Sequence, residues 1–215
     1  MTASLADALG SLVSPVEEAL FGAAAARGPR GLLLYGEDPR EAPRRVGYDE
    51  LLRRARGAAC GLDRLGPGAP FLVLATSELG PISAILGGIL RGAAPVPIAP
   101  PAGLGGLVGW RERLVTTARS LGAELVVGPR RLEGLLEGEL PFLAVEDLPD
   151  AGPGVGGVDP ILSHVQLTSG STAAPKGVRI THQNLLANLF HIGWGSGVEA
   201  DDVVVSWLPL FHDMG

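Results

Sequence analysis

Five consecutive apolar residues, Phe71 to Ala75, constrain this chain more than any other feature. An apolar run without polar alternation reads as a strand covered on both faces. Strands of that kind sit in parallel or mixed sheets and require helices on either side. The flanking sequence supplies them. Residues 48–65 place Leu51, Leu52, Ala55, Ala58, Ala59, Leu62 and Leu65 on one helical side, and Gly66-Pro67-Gly68 ends the element. Helical spacing also appears over 5–27, 81–90, 107–121 and 131–137. Strands are expected at 31–35 (short and buried), 95–98, 124–127, 141–145, 163–167 and 178–180. The class is therefore α/β, with mixed or parallel sheets flanked by helices.

The segment 151–157 is rich in Gly and Pro and is the one linker candidate. It divides the chain into a first α/β part, roughly 1–150, a linker at 151–158 and a distinct stretch at 159–215. Gly152, Gly154 and Gly157 have dinucleotide-loop spacing, but they precede a strand rather than open a helix, so the match is accidental.

Composition excludes several function classes. The net charge is −6, and the 17 basic residues are scattered, which argues against a nucleic-acid surface. A single cysteine, Cys60, allows no internal disulfide, and its Ala/Gly neighbours mark it as a small core residue. No apolar run is long enough to span a bilayer, and the N-terminus lacks a basic region followed by an apolar one. A soluble cytoplasmic protein is the expectation.

Chemistry concentrates after residue 163. A strand runs into Thr168-Ser169-Gly170-Ser171-Thr172-Ala173-Ala174-Pro175-Lys176-Gly177, and strand character then resumes. Thr181 is placed to cap a helix from His182. The loop offers hydroxyls, a Gly that lets backbone N–H groups converge, and one ammonium from Lys176. Together these suit polyphosphate oxygens. It is not a Walker A loop, because Lys176 precedes Gly177 and the chain returns to a strand. On chemistry alone, a polar surface loop remains the alternative. His164, His182 and His191 share no metal-ligand spacing with a carboxylate or Cys.

Residues Thr168 to Gly177 resemble the phosphate-binding signature T-S-G-S-T-x-x-P-K-G of the adenylate-forming superfamily at every fixed position. Ala173 stands where members often carry Gly. Ser206-Trp207-Leu208-Pro209-Leu210-Phe211-His212-Asp213-Met214-Gly215 resembles the W-L-P-x-x-H-D-M-G stretch of fatty acyl-AMP ligases. Gly47-Tyr48-Asp49-Glu50-Leu51 and Ala94-Pro95-Val96-Pro97-Ile98 with Pro100-Pro101 resemble looser family segments.

The resemblance implies an incomplete N-terminal domain of an enzyme that uses ATP and Mg²⁺ to convert a fatty acid to acyl-AMP. Thr168, Ser169, Gly170, Ser171, Thr172, Lys176 and Gly177 would bind the ATP phosphates, and His212 would be catalytic at the acyl-adenylate junction. The acceptor would be the phosphopantetheine thiol of an acyl carrier protein, or CoA. The resemblance also implies further parts, a ribose-binding Asp and a C-terminal domain with a catalytic Lys, that these 215 residues do not include. The chain alone is therefore expected to be inactive. A fragment of an acyl-CoA ligase and a non-catalytic nucleotide-binding or interaction remnant are the other readings.

Overall fold

The computed structural model describes residues 30–36, 38, 40–101, 106–136, 138–153, 162–168, 176–199 and 202–212. The helix expected over 5–27 and the loop interior 169–175 lie outside the described residues, as do 213–215.

Strand β1 (Gly31–Leu34) pairs antiparallel with β2 (Arg44–Gly47). β1 is not the buried strand expected from its sequence, since Leu33 is 52% exposed. A two-stranded ribbon covers only one face. Leu32, Leu34 and Val46 take the inner side with Leu51 and Leu79, and Leu33 takes the outer. Helix α1 (Tyr48–Gly61) follows directly.

The centre of the molecule is a parallel sheet. It comprises β3 (Pro70–Leu74), β4 (Ala94–Ile98), β5 (Val126–Gly128) and β6 (Phe142–Ala144), in spatial order β4-β3-β5-β6. Helix α2 (Leu79–Arg91) links β3 to β4, and α3 (Leu107–Leu121) links β4 to β5. The two helices lie on opposite faces, and the alternation within β3 shows it. Phe71 and Val73 cluster with Ala58, Leu62 and Ala84 on the α1–α2 side. Leu72 and Leu74 cluster with Trp110, Leu114 and Ala118 on the α3 side. All four of these strand side chains are fully buried, each stabilising the fold by about 1.5–3 kcal/mol.

Helices α1 and α2 meet through small residues. A side chain at Gly87 would bring its Cβ within 2.7 Å of Ala58 Cβ and of the Ala55 carbonyl oxygen, so only glycine permits this approach. Between β5 and β6, Arg130–Leu136 forms 3₁₀ turns where the pattern predicts a helix; a short polar-rich segment between two strands settles into the tighter form. Residues 151–153, the start of the expected linker, follow a segment tied to α1. There Arg54 pairs with Asp150, and Arg53 Nη1 donates to the Asp150 carbonyl at 2.6 Å.

A second structural unit lies against β4. Strands β7 (Leu162–Leu167) and β8 (Gly177–Thr181) form an antiparallel hairpin. Leu162 and Val165 of β7 join the α3-side core. Helix α4 (His182–Ser196) starts on a capping box. Asn184 N–H donates to Thr181 Oγ1 and Thr181 N–H donates to Asn184 Oδ1, both at 3.1 Å. The helix ends at Gly197, which takes the left-handed conformation. Val203, Val204 and Val205 form no strand and are 82%, 78% and 79% exposed.

Candidate functional site

The β7–β8 hairpin fixes the base of the phosphate-type loop. Thr168 N–H donates to the Lys176 carbonyl at 3.0 Å, and Lys176 N–H donates to Thr168 Oγ1 at 3.3 Å. These bonds extend the ladder one step beyond the Leu167–Gly177 pair. Ser169, Gly170, Ser171 and Thr172 lie outside the described residues. Thr168 and Lys176 are both exposed. Gly177 packs closely against the ends of two side chains. A Cβ there would stand 2.7 Å from Leu121 Cδ2 and 2.9 Å from Val165 Cγ1.

His212 arrives from the far end of the described chain. Its N–H donates to the Pro209 carbonyl at 3.0 Å, forming a turn. Gln166 Nε2 on β7 donates to the Phe211 carbonyl at 3.1 Å. This bond ties the His212 segment to the strand that ends at Thr168. Sequence reading assigned Gln166 no role, because a tether between distant segments leaves no local pattern.

Thr168 and His212 meet at one cleft of about 350 Å³. Its walls are largely apolar. Pro97, Ile98 and Ala99 come from the carboxyl end of β4, Trp110 and Leu114 from α3, and Leu167 and Phe211 from the hairpin and its tethered segment. Arg113, Thr117, Thr168 and His212 are the polar lining. Lys176 and Gly177 stand at the loop stem and do not line this cleft. Trp110 is only 7% exposed, and its Nε1–H donates to the Ala99 carbonyl at 2.9 Å. That bond holds the indole against the end of β4. A larger hollow of about 410 Å³ opens between the β1–β2 hairpin and the N-terminus of α2, but it holds none of the motif residues.

His164 is electrostatically perturbed. His164 on β7 is half-buried, with Nδ1 3.2 Å from Ser163 Oγ. Burial, and secondarily the nearby His182, hold its pKa below the ordinary 6.5. Among the described residues no group of three or more His, Cys, Asp or Glu side chains is placed to hold a metal ion. No described helix is long and apolar enough to cross a membrane.

Residues 157–215 match the family model described as "AMP-binding enzyme". A Caulobacter vibrioides protein provisionally assigned as an acyl-CoA synthetase is 40% identical over 58% of this chain and 23% of its own length. The long-chain-fatty-acid–AMP ligase FadD32 of Mycolicibacterium smegmatis is 30% identical over 80% of this chain and 29% of its own. Among solved structures, a fatty acid AMP ligase from Legionella pneumophila superposes with a TM-score of 0.81 at 25% identity, covering 99% of this chain and 38% of that one. The chain thus spans well under half the length of the proteins it resembles.

Proposed function

Because the chain belongs, over the stretch it spans, to the adenylate-forming superfamily of AMP-binding enzymes, we propose that it carries the phosphate-loop and acyl side of an ATP-dependent fatty-acid activation site. In that reaction a carboxylate oxygen attacks the α-phosphorus of ATP. The α–β phosphoanhydride bond breaks, and acyl-AMP and pyrophosphate result. The observation that supports this reading is the convergence of Thr168 and His212 on one mostly apolar cleft. Such a cleft suits an acyl chain beside a polar end where the carboxylate would sit.

Catalysis of this kind rests on orientation and charge neutralisation. Thr168, Ser169, Gly170, Ser171 and Thr172 would hold the β- and γ-phosphates on the closed hairpin stem. Lys176, exposed beside Thr168, would add a charge-assisted contact. Gly177 would act by seating the stem against Leu121. His212 would position the acyl carboxylate at the α-phosphate. The Thr168 hydroxyl and the exposed Lys176 ammonium are donors that would suit ATP phosphates, which supports the reading. Mg²⁺ would be held chiefly by substrate phosphates with a loop oxygen, and would supply charge neutralisation.

We favour an acyl carrier protein thiol over CoA as acceptor, on the resemblance of Phe211-His212-Asp213-Met214-Gly215 to the acyl-AMP ligases. The division 1–150, 151–158 and 159–215 is proposed as two functional parts and a connector, in a cytoplasmic enzyme.

The test is fatty-acid-dependent exchange of labelled pyrophosphate into ATP. It is measured on the 215 residues alone and on the same residues joined to the remaining length of a related ligase. Exchange is expected only in the joined protein, and Lys176→Ala and His212→Ala should each depress it. A folded joined protein without acid-dependent exchange would count against the reading. Efficient acyl-CoA formation would move the acceptor to CoA.

A further inference from the structure

We infer that Gln166 is a positioning residue, holding His212 in register with the phosphate-type loop although it does not itself line the cleft. This deepens the reading above, and rests on it for the claim that Thr168 and His212 serve one reaction. The anchor is a strand residue. Gln166 pairs with Val178 across the β7–β8 ladder, and β7 packs against β4. Further along the same strand comes Thr168, whose N–H and Oγ1 both bond Lys176 at the loop stem. The tether and the stem therefore share one backbone.

The segment that carries His212 is held differently. Asp202 N–H donates to the Glu199 carbonyl, Leu208 N–H to Ser206 Oγ and His212 N–H to the Pro209 carbonyl, all of them local bonds. Val203, Val204, Val205 and Trp207 are exposed, so packing gives this stretch little hold. The bond from Gln166 Nε2 to the Phe211 carbonyl, by contrast, crosses 45 residues at 3.1 Å. The carbonyl it holds and the N–H of His212 belong to one peptide group. Gln166 binds the oxygen of that group, and the Pro209 carbonyl binds its N–H. A peptide is planar, so pinning both polar ends fixes the plane from which His212 departs. The carboxamide is oriented for this. Its Nε2 also faces the Leu167 carbonyl at 3.5 Å, and the flipped amide would set an oxygen against two carbonyl oxygens.

A reaction that depends on alignment is sensitive to such a hold. Misplacing a group by about 1 Å can cost ~100-fold in rate. Loss of the tether frees His212 to leave the neighbourhood of Thr168, without removing any group that touches substrate.

The first measurement is amide hydrogen exchange, read by NMR on the 215-residue chain. Gln166→Leu keeps the bulk and removes the donor. The His212 amide should exchange up to about tenfold faster, the scale of one hydrogen bond, while the Thr168 amide keeps its protection. Gln166→Glu sets a carboxylate against the Phe211 carbonyl at neutral pH. Once protonated, its O–H can donate. His212 amide exchange in this variant should therefore return toward that of the unmutated chain as pH falls. The second measurement is pyrophosphate exchange by the joined protein. Gln166→Leu should lower kcat by about 10–100-fold and leave KM for ATP within about twofold. It should add nothing to the loss in His212→Ala, because it acts through that histidine.

Unchanged His212 amide exchange in folded Gln166→Leu overturns the inference. Equal acceleration at Thr168 does so too, since Gln166 would then be a general support of the hairpin. Losses that add to those of His212→Ala have the same consequence. If Gln166→Leu does not fold, Gln166→Glu decides alone, and a difference from the unmutated chain that ignores pH overturns the inference. A loosened His212 in a joined protein without acid-dependent pyrophosphate exchange leaves the tether standing and removes the adenylation reading. Pyrophosphate exchange with kcat unchanged in Gln166→Leu does the reverse.

Discussion

Strand β3 and helix α4 are both rich in apolar residues, and they meet opposite fates. Phe71, Leu72, Val73 and Leu74 are fully buried, whereas in α4 no residue is buried and Phe190, Ile192 and Trp194 are 47%, 53% and 81% exposed. Yet α4 has the better local signals, a reciprocal capping box at one end and a left-handed glycine at the other. α2 and α3 also end on left-handed glycines, but neither has a side-chain N-cap bond. Caps decide where a helix starts and stops. Burial decides how much the rest of the molecule depends on it. The candidate site lies between these regimes, with Trp110 and Leu114 from the packed body and Thr168 and His212 from the exposed part.

The largest expected effect tests that contrast directly. Phe71→Ala empties a site that is wholly buried, and should lower unfolding free energy by about 3–5 kcal/mol. Leu189→Ala in α4, at a position 46% exposed, should stay within about 0.5 kcal/mol. Urea titration of both variants measures the difference, and equal losses would abolish the distinction between the regions.

Thr181→Ala removes the cap and should cost about 1 kcal/mol. The loss should be local. Amide exchange should speed up over the first turn of α4 and leave β3 and β5 unchanged; uniform acceleration would mean that the two parts open together.

Acid should act through the second unit as well. His164 has a folded pKa below its unfolded 6.5, so the unfolded chain binds more protons between the two values. Its contribution is fully present above about pH 6.5 and is lost as pH falls toward the folded pKa. His164→Gln should flatten that part of the stability–pH curve. An unchanged slope would remove His164 as its source.

The smallest expected effect on stability is that of Lys176→Ala. Its side chain is exposed, so the melting curve should hardly move. Nucleotide use by the joined enzyme should nevertheless fall about tenfold, the scale of a charge-assisted phosphate contact of ~1.5 kcal/mol. A stability loss matching the activity loss would make Lys176 a structural residue instead.

The sequence revealed the body well where a segment's environment was its own pattern. The unbroken run at Phe71 to Leu74 declared a strand covered on both faces, and the limits of α3 followed from its spacing. Thr181 announced the start of α4. Strand β2, Arg-Arg-Val-Gly, was illegible because only Val46 is apolar; it is a strand because β1 pairs with it. The Thr168 and His212 motifs were legible as chemistry, but their meeting at one cleft was not. That meeting depends on the tether from Gln166 to Phe211 and on packing of β7 against β4. Trp110 escaped notice for the same reason, being one apolar position in a helix pattern until Ala99 and the cleft are placed beside it.

The strand order β4-β3-β5-β6 also bears on how the chain acquires its shape during synthesis. β3 is the first strand of this sheet to emerge and the one that both later neighbours must find. Its pairing with β4 spans a short crossover through α2 and can close once Ile98 has left the ribosome. β5 must then return past α3 to the opposite edge of β3, and β6 adds outside it. Each addition extends a preformed template rather than joining two free ends, so the entropy of closing the loops is met in small increments. Until β5 arrives, one edge of β3 is an unpaired row of donors and acceptors. A pause in translation between Ile98 and Val126 would lengthen that exposure, and so would favour association of nascent chains over completion of the sheet.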